Sequence, residues 1–203
     1  MKTIKNPIKK TLADIPRELN KGNIEEAIKD YKILLQDIPL KIEESNLLDL
    51  LIKLKRSEIG KGPYAHVSIF EAANRIMTDL VILFGVKKLL SGEFPKLTMF
   101  TNFTVEFGNE NKNAHDILSK AKGKKLAGEA FNVAPSFYNG KKSKTIKKLL
   151  ESTQNADHLI LLCNADSHLS INTGRSENNG IEIIKVDVAL DEDSNSTNIP
   201  FAK

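Results

Sequence analysis

Six consecutive residues, His158-Leu159-Ile160-Leu161-Leu162-Cys163, form an uninterrupted apolar run. A one-sided antiparallel strand alternates apolar and polar residues, so a run without alternation marks a strand buried on both faces. A second segment, Gly180-Ile181-Glu182-Ile183-Ile184-Lys185-Val186-Asp187-Val188, reads as a later strand. The chain has 203 residues, 40% of them hydrophobic, which suits one domain with an appendage and argues against wholesale disorder. Its single cysteine, Cys163, cannot form an internal disulfide, so a secreted disulfide scaffold is excluded and a reducing cytoplasm is expected. The longest apolar segment, Asp79 to Val86, is far short of the ~20 residues that span a bilayer.

The remaining elements follow from periodicity. Residues 1–60 read as a helical segment. Asn23-Ile24-Glu25-Glu26 is a helix start with acids in the first turn, and Ile24, Ala27, Ile28, Tyr31, Leu34 and Leu35 recur on one face. A second stripe holds Leu40, Ile42, Leu47, Leu48, Leu51, Ile52 and Leu54. Gly60-Lys61-Gly62-Pro63 breaks the pattern and starts a second unit, 61–203. Val67 to Leu90 reads as one long, largely buried helix. Phe100, Phe103, Val105 and Phe107 then suggest a strand, Ala114 to Ala121 a second and Leu126 to Ala134 a third. Between the first two lies the polar turn Asn109 to Asn113. A helix from about Lys141 to Ser152 precedes the apolar strand, and Ser194 to Asn198 reads as a mobile tail. The fold class is α/β with a mixed sheet.

Charge is unevenly placed. The formal net charge is only +4, yet Lys120 to Lys148 contains nine lysines and one acid, Glu129, whereas Asp187 to Asp193 contains four acids and no base. The cationic block suits a polyanion, although a solvated helix face and a charged hairpin would have the same composition. Glu129 interrupts an apolar strand, which is costly without a partner. Asp116 opens the preceding strand, 13 residues earlier across a tight turn. In an antiparallel pair such residues approach to ~5 Å, where two like charges need a counterion. A magnesium ion with its waters would serve, and so would a lysine from the following helix acting as a structural ion pair.

The order of elements and these two acids resemble the PD-(D/E)XK nuclease superfamily. The resemblance covers about Val67 to Ala165 and implies a restriction-endonuclease-like αβββαβ core, here with the N-terminal helical segment added. It implies that Asp116, Glu129 and the backbone carbonyl of Ala130 hold Mg²⁺ against a scissile phosphate. Glu71, on the first core helix, corresponds to a further acid of that family, but Arg75 at i+4 could instead engage it in a local ion pair. The lysine expected two residues after Glu129 is replaced by Phe131. The family tolerates a lysine supplied by the neighbouring helix, which here offers Lys141, Lys142 and Lys144, with Lys142 the first choice. Lys122, Lys124 and Lys125 at the hairpin tip, and Lys141, Lys144 and Lys148 on the helix, would contact the backbone of double-stranded DNA.

The expected activity is thus Mg²⁺-dependent hydrolysis of DNA phosphodiester bonds. A small stand-alone chain of this type fits a type II restriction endonuclease acting as a homodimer, with no membrane association. A nucleic-acid-binding or assembly module that kept the fold and lost the chemistry is the rival, and Phe131 supports it. Four histidines, His66, His115, His158 and His168, show no zinc-like spacing, and strand alternation turns His115 away from its neighbour Asp116. Cys163 reads as a core residue.

Overall fold

The computed structural model of the chain describes residues 10–36, 38, 46–108, 110, 112–153, 155–168 and 180–188. Leu40, Ile42, Asn109, Asn111, the acids Asp191 to Asp193 and the stretch Ser194 to Asn198 lie outside the described residues. Strand β1 (Glu18–Asn20) leads to helices α1 (Ile24–Gln36), α2 (Leu47–Arg56) and α3 (Ile69–Leu90). Then come β2 (Asn102–Val105), β3 (Ile117–Ala121), β4 (Lys124–Phe131), α4 (Tyr138–Ser152), β5 (His158–Asn164) and β6 (Ile181–Val186). From α3 onward this is the order expected from the sequence: a helix, three strands, a helix and two strands.

The strands form one six-stranded mixed sheet in the order β1-β2-β3-β4-β5-β6. Pairing is antiparallel from β1 to β4 and parallel from β4 to β6. The apolar run of β5 lies between β4 and β6, and Ile160, Leu161, Leu162 and Cys163 are fully buried. Alternation divides the strands between two apolar clusters. Leu126, Ala130, Ile160, Leu162, Ile184 and Val186 join a cluster with α1 and α3. Phe131, Leu161, Cys163 and Ile181 join the other, with Tyr138, Ile146 and Leu149 of α4. Helices therefore cover both faces of the sheet, as an uninterrupted apolar strand requires.

The N-terminal segment departs from the helical expectation. Glu18–Asn20 is an edge strand antiparallel to β2, with Leu19 opposite Phe103 and both side chains fully buried. A three-residue strand is too short to show a period of two, so its sequence gives little sign of it. The apolar face of α1 packs with α3, and residues before and after Gly60 share a single apolar cluster. Helix α2 differs from α1. It has no buried residue, and Leu47, Leu48, Leu51 and Ile52 are exposed. Among the described residues, no helix is long and apolar enough to cross a membrane.

Close approach of β4 to β5 depends on Gly128. A Cβ at this position would lie 2.5 Å from Ile160 Cγ1 and 3.1 Å from its Cδ1. Gly128 is also the residue opposite Ile117, one step before the two acids in the ladder. Gly128→Ala is therefore expected to destabilise the fold by about 1–3 kcal/mol through overpacking. A lowered urea midpoint with an unchanged slope would show this, and an unaltered midpoint would contradict it.

Candidate functional site

The register of β3 against β4 brings the two acids together. Ile117 pairs with Gly128, so the next step of the ladder sets Asp116 beside Glu129. Ile117 is fully buried towards α3, Glu129 next to Gly128 faces the α4 side, and Asp116, just before β3, lines the same cleft as Glu129. Asp116 Oδ2 accepts a hydrogen bond from the backbone N–H of Ala130 at 2.8 Å. Both oxygens of the buried Glu129 are engaged: Oε1 lies 2.8 Å from His115 Nδ1, and Oε2 accepts from Lys148 Nζ at 2.6 Å. The lysine partner offered by the following helix is therefore Lys148.

Asp116, Glu129, Ala130 and Lys148 line a cleft of about 640 Å³. Its wall carries five carboxylates, Glu71, Asp79, Glu106, Asp116 and Glu129, faced by Arg75, Lys141, Lys144 and Lys148. Asp116 is pushed up to about 6, first by burial and then by the charge of Glu129, with smaller opposing effects from the Ala130 N–H and Lys148. Asp79 is also pushed up to about 6, by burial, although it accepts hydrogen bonds from Tyr31, Tyr64 and the backbone N–H of Gly108. Glu106 Oε2 accepts from the backbone N–H groups of Lys112 and Asn113, at 3.1 and 2.7 Å.

The other expected residues divide between the cleft and its surroundings. Glu71 lines the cleft but pairs with Arg75 at 2.6 Å, the local i,i+4 ion pair that its spacing allows. Lys141 and Lys144 lie along the cleft, whereas Lys142 is buried and is not among the lining residues. Lys124, at the hairpin tip, pairs with Asp157 before β5 at 2.6 Å, and Lys122 occupies the turn at φ 48°. Lys125 lines a second pocket together with His115. Phe131 is buried against Tyr138, with ring centroids 6.0 Å apart.

Three residues of the site escape sequence reasoning. His115 reaches Glu129 because residues 113–116 form a bend and the strand begins only at Ile117, so alternation does not apply there. Asp79 stands beside the apolar stretch Leu80 to Val86, and the cost of burying an acid among apolar neighbours was the signal available for it. Glu106, between Val105 and Phe107, offered the same signal. Comparison of the chain with protein-family models, with curated proteins and with solved structures finds no match.

The raised Asp116 gives a sign for pH dependence. An unfolded chain ionises this carboxyl near 3.8, the folded one at about 6. Between those values the folded state holds the additional proton, so the penalty Asp116 places on folding is full above about 6 and fades as pH falls through this window. Asp116→Asn removes the charge and keeps an acceptor for Ala130. It should stabilise the protein by about 2 kcal/mol at pH 8 and leave stability nearly unchanged at pH 4. Denaturant titrations at the two pH values measure this, and equal effects at both would show that the carboxylate is not strained.

Proposed function

We propose that the chain is a Mg²⁺-dependent endonuclease that hydrolyses phosphodiester bonds of double-stranded DNA, with a restriction-endonuclease-like core. The observation that carries this reading is the meeting of Asp116 and Glu129 in one cleft, with Lys148 on Glu129 and further lysines along the wall. The element order after Gly60 supports it, as does the mixed sheet in which one acid immediately precedes β3 and the other lies in its antiparallel neighbour β4.

The donor set fits magnesium. Mg²⁺ takes hard oxygen ligands, usually one or two carboxylates, and keeps several waters. Among the described residues no group of three or more His, Cys, Asp and Glu is arranged to hold a metal. The donors would thus be Asp116, Glu129 and the Ala130 carbonyl, with water completing the shell. Asp116 is elevated by burial and then by the charge of Glu129, and a cation there would relieve that repulsion. Such an ion supplies a water of lowered pKa and offsets charge developing on the phosphate.

The chain's own groups would do the rest. Lys148 takes the role first sought in Lys142, because its ammonium sits directly on Glu129 and is half exposed to the cleft. From there it can stabilise charge on the phosphate or its leaving oxygen. Lys141 and Lys144, exposed along the cleft, would position the DNA backbone, and Lys122 and Lys124 would extend that contact to the hairpin tip. The exposed apolar face of α2 is where we place the interface of a homodimer, which a type II restriction endonuclease would need to cut both strands. The lone buried thiol of Cys163 is compatible with work in the cytoplasm.

One observation favours a second reading. Phe131, in the position where the family carries its lysine, is committed to the apolar cluster under α4. A binding or assembly module without catalysis would retain the lysines and need no such group. Plasmid cleavage separates the two. Cutting should require Mg²⁺ or Mn²⁺, and Glu129→Gln or Lys148→Ala should slow it at least about 100-fold, with DNA affinity nearly unchanged in Glu129→Gln. Salt-sensitive binding with no cutting under any divalent cation would instead establish the module.

A further inference from the structure

The face of α4 that lines the cleft extends one turn beyond it. Lys141, Lys144, Thr145 and Lys148 line the wall at helical spacing, and Phe137 stands four residues before Lys141. Its backbone is already in the right-handed helical region, at φ −99° and ψ −6°, so Phe137 continues that face. The buried side of the helix, with Tyr138, Lys142, Ile146 and Leu149, is a different one. Phe137 is 70% exposed, the most of any large apolar side chain among the described residues. Leu47, Leu48, Leu51 and Ile52 share a face of α2, and the Phe70 ring is covered by Lys55 at 4.8 Å. Phe137 belongs to neither group, and it follows directly on the cleft's own residues Asn132 and Val133.

The backbone around this ring is anchored on both sides. Pro135 and the hydrogen bond from the Phe137 N–H to the Ala134 carbonyl, at 2.9 Å, set the turn. Upstream, Asn164 accepts from the Val133 N–H and donates to its carbonyl, each at 3.0 Å. Downstream, Tyr138 is buried against Phe131. An aromatic ring held out in this way loses little freedom when it binds something flat. Gly140, at i+3 from Phe137, leaves the adjoining turn of the helix bare. A Cβ there would meet nothing within 4 Å, and Gly140 is not among the glycines of positive φ. Neither packing nor backbone conformation calls for glycine at this position, although it weakens a helix relative to alanine. What it does provide is room for a ligand to come close to the backbone.

We propose that Phe137 is a stacking platform for an unpaired nucleobase, with Lys141 and Lys144 holding the adjoining phosphates, so that the cleft takes a duplex carrying a single-stranded extension. An aromatic face beside a track of cations is the combination that holds single strands, because every base has a π-face and every link a phosphate. Within an intact duplex the base faces are covered by their neighbours, and reaching one means unstacking a step. An unpaired base offers its face without that cost. At the α-helical rise, Phe137 stands about 16 Å along the axis from Lys148. That is roughly five steps of a B-form strand, so the stacked base lies well away from the bond at Glu129. The inference rests on the reading of the cleft as a nucleic-acid site, whether or not a bond is cut there.

The test measures binding by the full chain without divalent cations, so that no strand is cut. The probes are a DNA duplex closed by hairpins, the same duplex with a short overhang of either polarity, and that overhang made abasic. The base-bearing overhang should bind at least about fivefold more tightly than the abasic one. Phe137→Ala should abolish that preference and leave affinity for the closed duplex within about twofold of the wild-type value. The chain contains no tryptophan, so Phe137→Trp creates a single reporter. This variant should keep the preference, and its emission should be quenched by the base-bearing overhang but not by the abasic one. Equal binding of the two overhangs by the wild-type chain, or a preference that survives Phe137→Ala, overturns the proposal. So does a marked fall in the thermal midpoint of Phe137→Ala, which would assign the ring to packing. If plasmid is cut with Mg²⁺ but Phe137→Ala changes nothing, the stacking role alone falls. If the overhang preference depends on Phe137 but no divalent cation supports cutting, the nuclease reading falls and the stacking role stands.

Discussion

The pairing of Ile117 with Gly128 governs the candidate site. One residue of slippage between β3 and β4 would turn Glu129 into the apolar layer beneath α3 and carry Leu126 and Ala130 to the other face. Correct register buries Ile117, Leu126 and Ala130 together, and the gain from that burial holds two carboxylates side by side against their repulsion. Stability generated on one face of the sheet thus maintains an unfavourable charge arrangement on the other. The charge on Lys148 and the His115 ring moderate that arrangement without removing it, since Asp116 remains elevated.

Asp79 links this arrangement to the N-terminal part of the chain. It is fully buried on α3 and gathers the hydroxyls of Tyr31 from α1 and Tyr64 from the preceding loop, together with the Gly108 N–H from the chain after β2. Every lone pair used there is directed by a different segment, so the carboxylate ties the wall of the cleft to the N-terminal helix. Arg17 reinforces the same region by stacking over Phe107 at 4.7 Å and pairing with Glu110 at 2.6 Å. The segment before Gly60 is therefore coupled to the cleft by polar contacts as well as by apolar packing.

Much of the architecture was legible in the sequence because long periodic segments are unambiguous. The apolar run of β5, the broad helix α3 and the hairpin of β3 and β4 all lie where periodicity sets them, with ends displaced by a few residues. Short and irregular pieces were not legible. β1 has too few residues for a pattern, and the bend before β3 reverses the facing of His115 that alternation implies. For the site, the conflict between Glu129 and its apolar surroundings pointed to the right strand. The choice among lysines failed for a different reason: helical position decides which one reaches back, and Lys142 turns into the protein while Lys148, six residues on, meets the acid.

The sheet's change from antiparallel to parallel pairing has a kinetic consequence. The β3–β4 hairpin closes through a turn of two residues, whereas β4 and β5 become neighbours only after α4 has crossed over, and α3 must come from far upstream. Contacts between residues close in the chain form before those that require large loops to close. Asp116 and Glu129 are consequently juxtaposed early, in water, where their repulsion is screened. Docking of the helices then withdraws that solvent from a pair already in register, so the electrostatic penalty falls on the last stage of folding and not on its nucleus.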